Sequence, residues 1–405
     1  MRFETAKIKD LISEISMGPF GSNIKVECFV DTGIPVLNGS NLDGFVLKEN
    51  SFRYVTEEKA DSLGRANAHR GDVVITHRGT LGQIVFIPKK SLYDRYVISQ
   101  SQFRVRCNHR VLPEYLVYYF HTRKGQHKLL SNASQVGVPA LARASTTFQE
   151  IEIEVPSVID QERIVGILEA IREKEEINNA INENLTQQAY ALYKSIISNS
   201  TSSAQLSDYI TIKHGFAFKG EFITTESNSV VLVTPGNFRI GGGFQENKCK
   251  YFTAAYSDEY VLRPNDLIVT MTDLSKDADT LGYSALVPDN PDRTYLHNQR
   301  IGLVQFRDDR LNKDYVYWFL RSYDYHMQIV GSASGSTVKH TSPGRILEQM
   351  IPIPDANDIG KILLMEIIDK TIAKNDLESN KLASIRDGLL PRLMSGELDV
   401  SEIDL

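Results

Sequence analysis

A chain of 405 residues that is 41% hydrophobic and 24% charged, with a formal net charge of −6, is long enough for two or three domains and more than one core. The composition excludes a disordered chain, and the negative balance argues against a protein that coats nucleic acid without sequence preference. Three widely spaced cysteines (Cys28, Cys107 and Cys249) exclude a disulfide scaffold and a Cys-x-x-Cys metal site; with no apolar leader at the start and no run of about 18 apolar residues, a cytoplasmic chain without a membrane span is expected.

In chain order, residues 1–157 show short β-rich runs such as Val73–Thr76 and Gln83–Ile87, separated by Gly, Asn and Pro, as in a mixed sheet domain with long loops. From Arg65 to Thr147 there are thirteen basic residues against three acidic ones, Asp72, Asp94 and Glu114. Pro156 closes this domain, and a helix is expected over 158–200, with Asp160 as a plausible N-cap. From Ile151 to Ser200 the sign reverses, with nine acidic residues against four basic ones. A basic block beside an acidic block points to two surfaces with two different partners. A second sheet domain is expected over 201–355, with the run Ile301–Phe306 as one strand. A second helix with a C-terminal tail, capped by Asp358, is expected over 356–405. Between Arg263 and Arg345 the second sheet domain carries ten basic and ten acidic residues, so its charge is balanced.

The chain repeats itself at an offset of roughly 200 residues. Ile34–Asn41 resembles Val230–Asn237, Gly71–Thr76 resembles Asn265–Thr270, Pro113–Phe120 matches Lys313–Leu320, and Glu150–Pro156 matches Glu348–Pro354. These matches occur in order at nearly constant spacing, which identifies a tandem duplication.

Both helices carry apolar residues at alternating steps of three and four. The first places Ile164, Ile167, Ile171, Lys174, Asn178, Ile181, Leu185, Gln188 and Leu192 on one seam; the second places Met365, Ile368, Ile372, Asn375, Ser379, Leu382, Arg386, Leu389 and Leu393. A seam of this kind pairs helices, and Asn178 and Asn375 are the polar residues that set register. The expected fold class is α+β, with two similar mixed α/β domains joined by two long antiparallel helices in a coiled-coil spacer, the whole an internal pseudo-two-fold repeat.

No phosphate-binding glycine loop, His-Glu-x-x-His or Asn/Asp-Pro-Pro-Tyr/Phe motif is present. Gly241–Gly243 reads as a loop tip, and Glu57-Glu58-Lys59 as a solvated helix start. The nine histidines do not cluster at ligand spacing. The chain reads as a two-headed binder without a catalytic constellation.

Duplicated sheet-plus-helix units, Asp160-Gln-Glu-Arg-Ile164 at a helix start, Gly331–Thr337 before the second helix and the terminal phrase Leu389–Leu398 resemble one family: the specificity subunit of Type I restriction–modification systems, which serve phage defence. The resemblance implies that each sheet domain is a target-recognition domain reading half of a bipartite sequence in double-stranded DNA, with the helices setting the unread gap. It further implies docking of two modification subunits that carry S-adenosylmethionine and of restriction subunits that use ATP and Mg, while this chain binds no cofactor or metal and is not an enzyme. The alternatives are a non-enzymatic coiled-coil scaffold with two protein- or glycan-binding heads, and an enzyme with a degenerate motif.

Base edges are best read by Arg, Lys, Asn and Gln on loops. In the first domain these are Asn38, Ser40, Asn41, His77, Arg78, Thr80, Gln100, Gln102 and Gln135, with Arg104, Arg106, Lys124 and Lys128 as phosphate contacts. In the second they are Thr234, Asn237, Thr272, Asp273, His297, Asn298, Gln299, Arg300, Ser336, Lys339 and His340.

Overall fold

The computed structural model describes residues 1–134, 137–246, 248–335 and 337–402. Two compact units emerge, one made of Met1–Glu173 with Ala383–Leu405 and the other of Lys174–Leu382.

In the first unit a four-stranded antiparallel sheet runs in the order Ile12–Met17, Gln102–Cys107, Asp72–Thr76, Ile84–Phe86. A second four-stranded sheet contains Ile34–Val36 and Arg95–Val97 as a parallel pair. The strand Asp72–Thr76 is buried on both faces. Val73 and Ile75 join the core formed with the helix Pro113–His121, while Val74 joins a separate core over the second sheet. Successive side chains point to opposite faces, so a strand between two cores reads as a continuous apolar run.

The second unit repeats this plan. Ile210–His214, Ile301–Phe306, Leu267–Thr270 and Ser284–Leu286 form a sheet with the same strand order, and Val230–Val233 pairs in parallel with Thr294–His297 in a five-stranded companion. Leu267 and Val269 face one core and Ile268 the other. Each unit also pairs its first strand with its last, Glu4–Lys7 with Glu152–Val155 and Ser203–Gln205 with Met350–Pro352.

The long helices span Val158–Asn199 and Ile359–Ser395. Ser157, rather than Asp160, caps the first, since its Oγ accepts the Asp160 N–H at 3.2 Å. Asp160 instead lies within the first turn. In the second unit the two helices run antiparallel in contact: Asn178 Nδ2 donates to Glu378 Oε2 (2.9 Å) and Ser379 Oγ (3.3 Å), Asn375 Nδ2 donates to Asn182 Oδ1 (2.8 Å), and Lys361 Nζ donates to Ser195 Oγ (2.9 Å). Ile368 is buried, and Leu185 and Leu192 are half-buried against the same core, while Leu382 is half-buried. In the first unit Leu389 packs against the main core and Ile171 is half-buried. The expected seam drifts in the first helix. Ile181 is exposed and Asn182 is buried in its place, because an unsupercoiled helix of 3.6 residues per turn slips relative to a 3.5-residue repeat.

Each unit anchors its aromatic helix in its own way. In the second unit Asn312 caps Lys313–Phe319, its Oδ1 accepting the N–H groups of Asp314 (2.7 Å) and Tyr315 (3.2 Å). In the first unit Leu112 stands at that position, with no side chain to offer. Gln161, from the first turn of the long helix, instead holds the segment just ahead of the helix: its buried Oε1 takes the Leu112 N–H at 2.9 Å, and its Nε2 donates to Arg110 O (2.9 Å) and Pro156 O (3.0 Å). Gln161→Ala strands all three backbone groups and is expected to lower unfolding stability by about 2–4 kcal/mol. Asn312→Ala should cost about 1 kcal/mol. Urea midpoints at constant m-value measure both, and equal losses would contradict the assignment.

Candidate nucleic-acid interface

In the first unit, four loops converge where the strand Ile12–Met17 ends. The Gly18 N–H donates to Gln102 O at 2.8 Å, and a Cβ at Gly18 would lie 1.9 Å from Ser99 O, so only glycine lets this loop seat against residues 99–102. The N–H groups of His77 and Arg78 donate to Ser101 O at 2.8 and 3.3 Å, and His77 Nε2 donates to Gln100 O at 3.1 Å. Burial holds the His77 pKa below its ordinary value, which favours the neutral ring that makes this bond. The short strands Ala133–Ser134 and Ala140–Leu141 complete the cluster, since Leu141 N–H reaches His77 O at 2.9 Å and Gly79 N–H reaches Pro139 O at 2.8 Å. Arg78, Thr80 and Gln100 stand exposed on this rim, and His77 is half-buried in it.

The second unit builds the same cluster from different residues. Phe216 N–H donates to His297 O (2.8 Å), Gln299 N–H to Phe216 O (2.9 Å), Met271 N–H to Arg300 O (2.9 Å) and Thr341 N–H to Met271 O (3.0 Å). Thr272–Asp273 pairs with Lys339–His340. Gly215 mirrors Gly18, with a Cβ there falling 2.3 Å from His297 O. Gln299, Arg300 and His340 are exposed and Asn298 and Lys339 half-buried on this rim.

Other expected readers are occupied inside the protein. Asn41 is buried, its Oδ1 accepting the Asn38 N–H (2.9 Å) and its Nδ2 donating to Lys48 O and Asn50 O (both 2.8 Å). Buried Asn237 does the same work in the second unit, accepting from the Thr234 N–H (2.9 Å) and Oγ (3.2 Å). Asn38 Oδ1 takes the Ser40 N–H and hydroxyl at 2.8 and 2.5 Å, which ties those two side chains to each other. The expectation of free loop amides is thus corrected here, because Asn and Thr close 3-10 turns through local side-chain bonds.

Gln102 is buried between the Ser99 N–H and Asn38 O. Thr272 is buried with its Oγ 3.2 Å from His340 Nδ1. Asp273 is buried too. Burial pushes its pKa up, but bonds from Thr280 (N–H 2.5 Å, Oγ 2.7 Å) and the Ser275 N–H (2.6 Å) outweigh it and hold the carboxyl below the usual range. His297 is buried, and desolvation lowers its pKa to about 4, so its neutral Nε2–H donates to Ile301 O at 2.8 Å. Gln135 and Ser336 lie outside the described residues.

The expected phosphate contacts are corrected as well. Arg104 is buried and donates to both Glu14 carboxylate oxygens (2.9 and 3.3 Å) and to Arg65 O (3.1 Å), with Asp72 at 3.4 Å. Arg106 grips fully buried Asp72 through two bonds of 2.8 and 3.1 Å. Lys124 pairs with Glu154 at 2.6 Å, and Lys128 donates to Glu152 O at 2.5 Å. Much of the basic excess of this stretch is therefore spent inside the unit. Arg78, Arg123 and Arg143 are exposed and make no side-chain hydrogen bond or ion pair among the described residues.

Sequence reasoning passed over Phe20 and Phe216, which leave the seated glycines as exposed aromatics. The signal was legible as Gly18-Pro19-Phe20-Gly21 and its counterpart Gly215-Phe216, glycine beside a large ring directly after a strand. Among the described residues no group of three or more His, Cys, Asp or Glu could hold a metal ion, and no helix is long and apolar enough to cross a membrane.

The family model for the Type I restriction modification DNA specificity domain matches residues 3–187 and 200–387. The specificity subunit of the EcoBI Type I restriction enzyme of Escherichia coli is 26% identical over 200 residues, covering 48% of this chain and 38% of that relative, so the match spans well under half of its length. The MjaIX specificity subunit of Methanocaldococcus jannaschii is 23% identical over 426 residues, covering 99% and 94%. A crystal structure of a Type I restriction–modification S subunit from M. genitalium shares the fold, with a TM-score of 0.60 at 13% identity over 97% of this chain and 96% of that one.

Proposed function

The chain belongs to the Type I restriction–modification DNA specificity family, and on that premise we propose that it is the non-catalytic subunit that reads a split target in double-stranded DNA, one half-site per sheet unit. The observation that carries this reading is the repeated loop cluster. Two backbone bonds correspond between the units, His77 N–H to Ser101 O and Leu141 N–H to His77 O in the first, Met271 N–H to Arg300 O and Thr341 N–H to Met271 O in the second, yet each unit offers its own base-reading side chains: Arg78 and Gln100 in the first, Gln299 and Arg300 in the second. A shared frame with divergent rims is what two different half-sites require, since Arg and Gln make bidentate contacts with guanine and adenine edges. The long helices serve as a coiled-coil spacer that sets the unread gap. Ile359, Leu363, Leu364 and Ile367 form an exposed apolar stripe on the second helix, which suits docking of a modification subunit. Two such subunits would bring S-adenosylmethionine, and restriction subunits would bring ATP and Mg.

Sequencing of methylated adenines in the source genome with and without the gene tests the function. Loss of one split motif with a fixed gap supports it. An unchanged pattern, together with no motif-specific DNA retention by the assembled complex, would reject it. Within that motif, Arg78→Ala should lower discrimination at one position of one half-site by about 1–3 kcal/mol. A uniform loss across all sequences would reassign Arg78 to phosphate.

A further inference from the structure

Phe20 is the most exposed large apolar side chain in the first loop cluster, at 83% of its free surface. Single exposed apolar residues are common on proteins; what distinguishes Phe20 is how it is held and what surrounds it. Gly18 is pinned to Gln102 O, Pro19 fixes the next turn of the chain, and Phe20 O accepts the Asn23 N–H at 2.8 Å. A Cβ at Gly21 would fall 2.2 Å from Gln100 Oε1, so the loop lies flush against the residue expected to read a base edge. The ring is thus presented by a seated loop whose companions are an exposed amide, Gln100, and an exposed guanidinium, Arg78.

The second unit carries the same three residue types on its rim, with the ring and the arginine at other positions. Phe216 keeps 45% of its surface although it packs on Phe218 (ring centroids 5.2 Å apart) and Tyr260 (4.8 Å), and it is bonded through its backbone to His297 and Gln299, beside Arg300. Both halves place an aromatic ring, a glutamine and an arginine on this rim, with Gln100 and Gln299 at matching positions and the rings and arginines at different ones. A ring engages base faces, while an amide and a guanidinium engage base edges.

We infer that Phe20 enters the base stack of the half-site read by the first unit, as an aromatic wedge beside Gln100 and Arg78. The inference rests on the DNA-reading function proposed above. Pyrimidine–purine steps unstack most readily, so the ring inserts at such a step.

The test uses the chain assembled with its modification subunits and a duplex carrying the split motif found by methylated-adenine sequencing. 2-Aminopurine is placed in turn at each position of the half-site. At one step outside the methylated adenine, wild-type binding should raise the fluorescence severalfold. Phe20→Ala should leave it at the level of free duplex and weaken binding about tenfold, with the slope of affinity against salt unchanged because no phosphate contact is lost. Phe20→Trp should retain the signal. Motif-specific binding without any Phe20-dependent position would overturn the inference. So would a Phe20→Ala chain that loses its modification subunits while the assembled fraction binds DNA normally, which assigns the ring to a protein contact. Failure to find any split motif would instead reject the DNA-reading function itself, so the two failures are distinct.

Discussion

Arg104→Ala is expected to lower the unfolding free energy of the first unit by about 3–5 kcal/mol, the largest effect of any basic residue in that stretch. Its guanidinium bonds both Glu14 oxygens and Arg65 O and lies 3.4 Å from Asp72, and removing it leaves the half-buried Glu14 to Arg65 and the fully buried Asp72 with one guanidinium where it had two. Arg106 would still hold Asp72, but from a more exposed position. The measurement is a urea midpoint for the variant, coupled to DNA binding over a range of salt concentrations. A salt slope unchanged within error, in the fraction that stays folded, is the expected outcome. A slope reduced by about one counterion with stability intact would return Arg104 to the phosphate backbone. The network also sets a pH dependence. The Arg104 hydrogen bond, against some opposing desolvation, holds the Glu14 pKa below its ordinary value, so the stability it contributes is present above the ordinary glutamate range and is lost as pH falls through the lowered pKa.

Asp369→Asn should have the second large effect, with the opposite pH signature. Asp369 sits on the second long helix and is buried, its Oδ2 accepting the Trp318 Nε1–H at 2.9 Å. Burial raises its pKa to about 7, against the opposing pull of the indole bond and of Arg321, whose guanidinium lies 4.2 Å from the Trp318 ring centre; the nearby Asp314 carboxyl pushes the same way as burial, and Lys313 opposes. The folded pKa exceeds the unfolded value near 4, so the folded chain binds the extra proton. Stability should therefore fall as pH rises from about 4 to about 7, by up to about 4 kcal/mol, and stay low above that. Asparagine keeps an acceptor for the indole and removes the charge, so the variant should gain stability at pH 8, gain nothing at pH 4, and flatten the profile. Parallel profiles for the two proteins would show that Asp369 is not the titrating group. The first unit holds the equivalent contact differently. Tyr118 donates to Glu169 at 2.6 Å, and Arg172 matches that carboxylate with bonds of 3.0 Å to each oxygen.

The contrast between Arg104 and Arg78 shows why the architecture was legible and much of the interface was not. The continuous apolar run Val73–Ile75, the tandem repeat and the helical seam are each present in the order of residues alone. Charge pairing is not present there. Arg104 reads as surface until Glu14, 90 residues earlier, is brought against it by strand pairing. Asn41 and Asn237 misled for a related reason: amides that suit adenine also suit the closure of a tight turn, and only the backbone decides between these uses. Arg78, Gln100, Gln299 and Arg300 stayed on the rim because their backbones do the anchoring and their side chains were left outside. Ile181 and Asn182 exchanged roles because a seam read at strict heptad spacing accumulates an angular error along a helix of 42 residues.

The hold that Gln161 keeps on Leu112 and Arg110 has a bearing on how such genes can recombine. In the second half, a crossover placed ahead of the long helix would carry over an intact recognition module, because Asn312 travels with the sheet it serves. In the first half the same crossover would separate Gln161 from the Leu112 N–H and the Arg110 carbonyl and deliver a module with those two backbone groups unpaired. The unit of inheritance in the first half thus extends into the first turn of the helix, past Gln161, and chimaeras that exchange DNA specificity through this half should fold only when their junction respects that overhang.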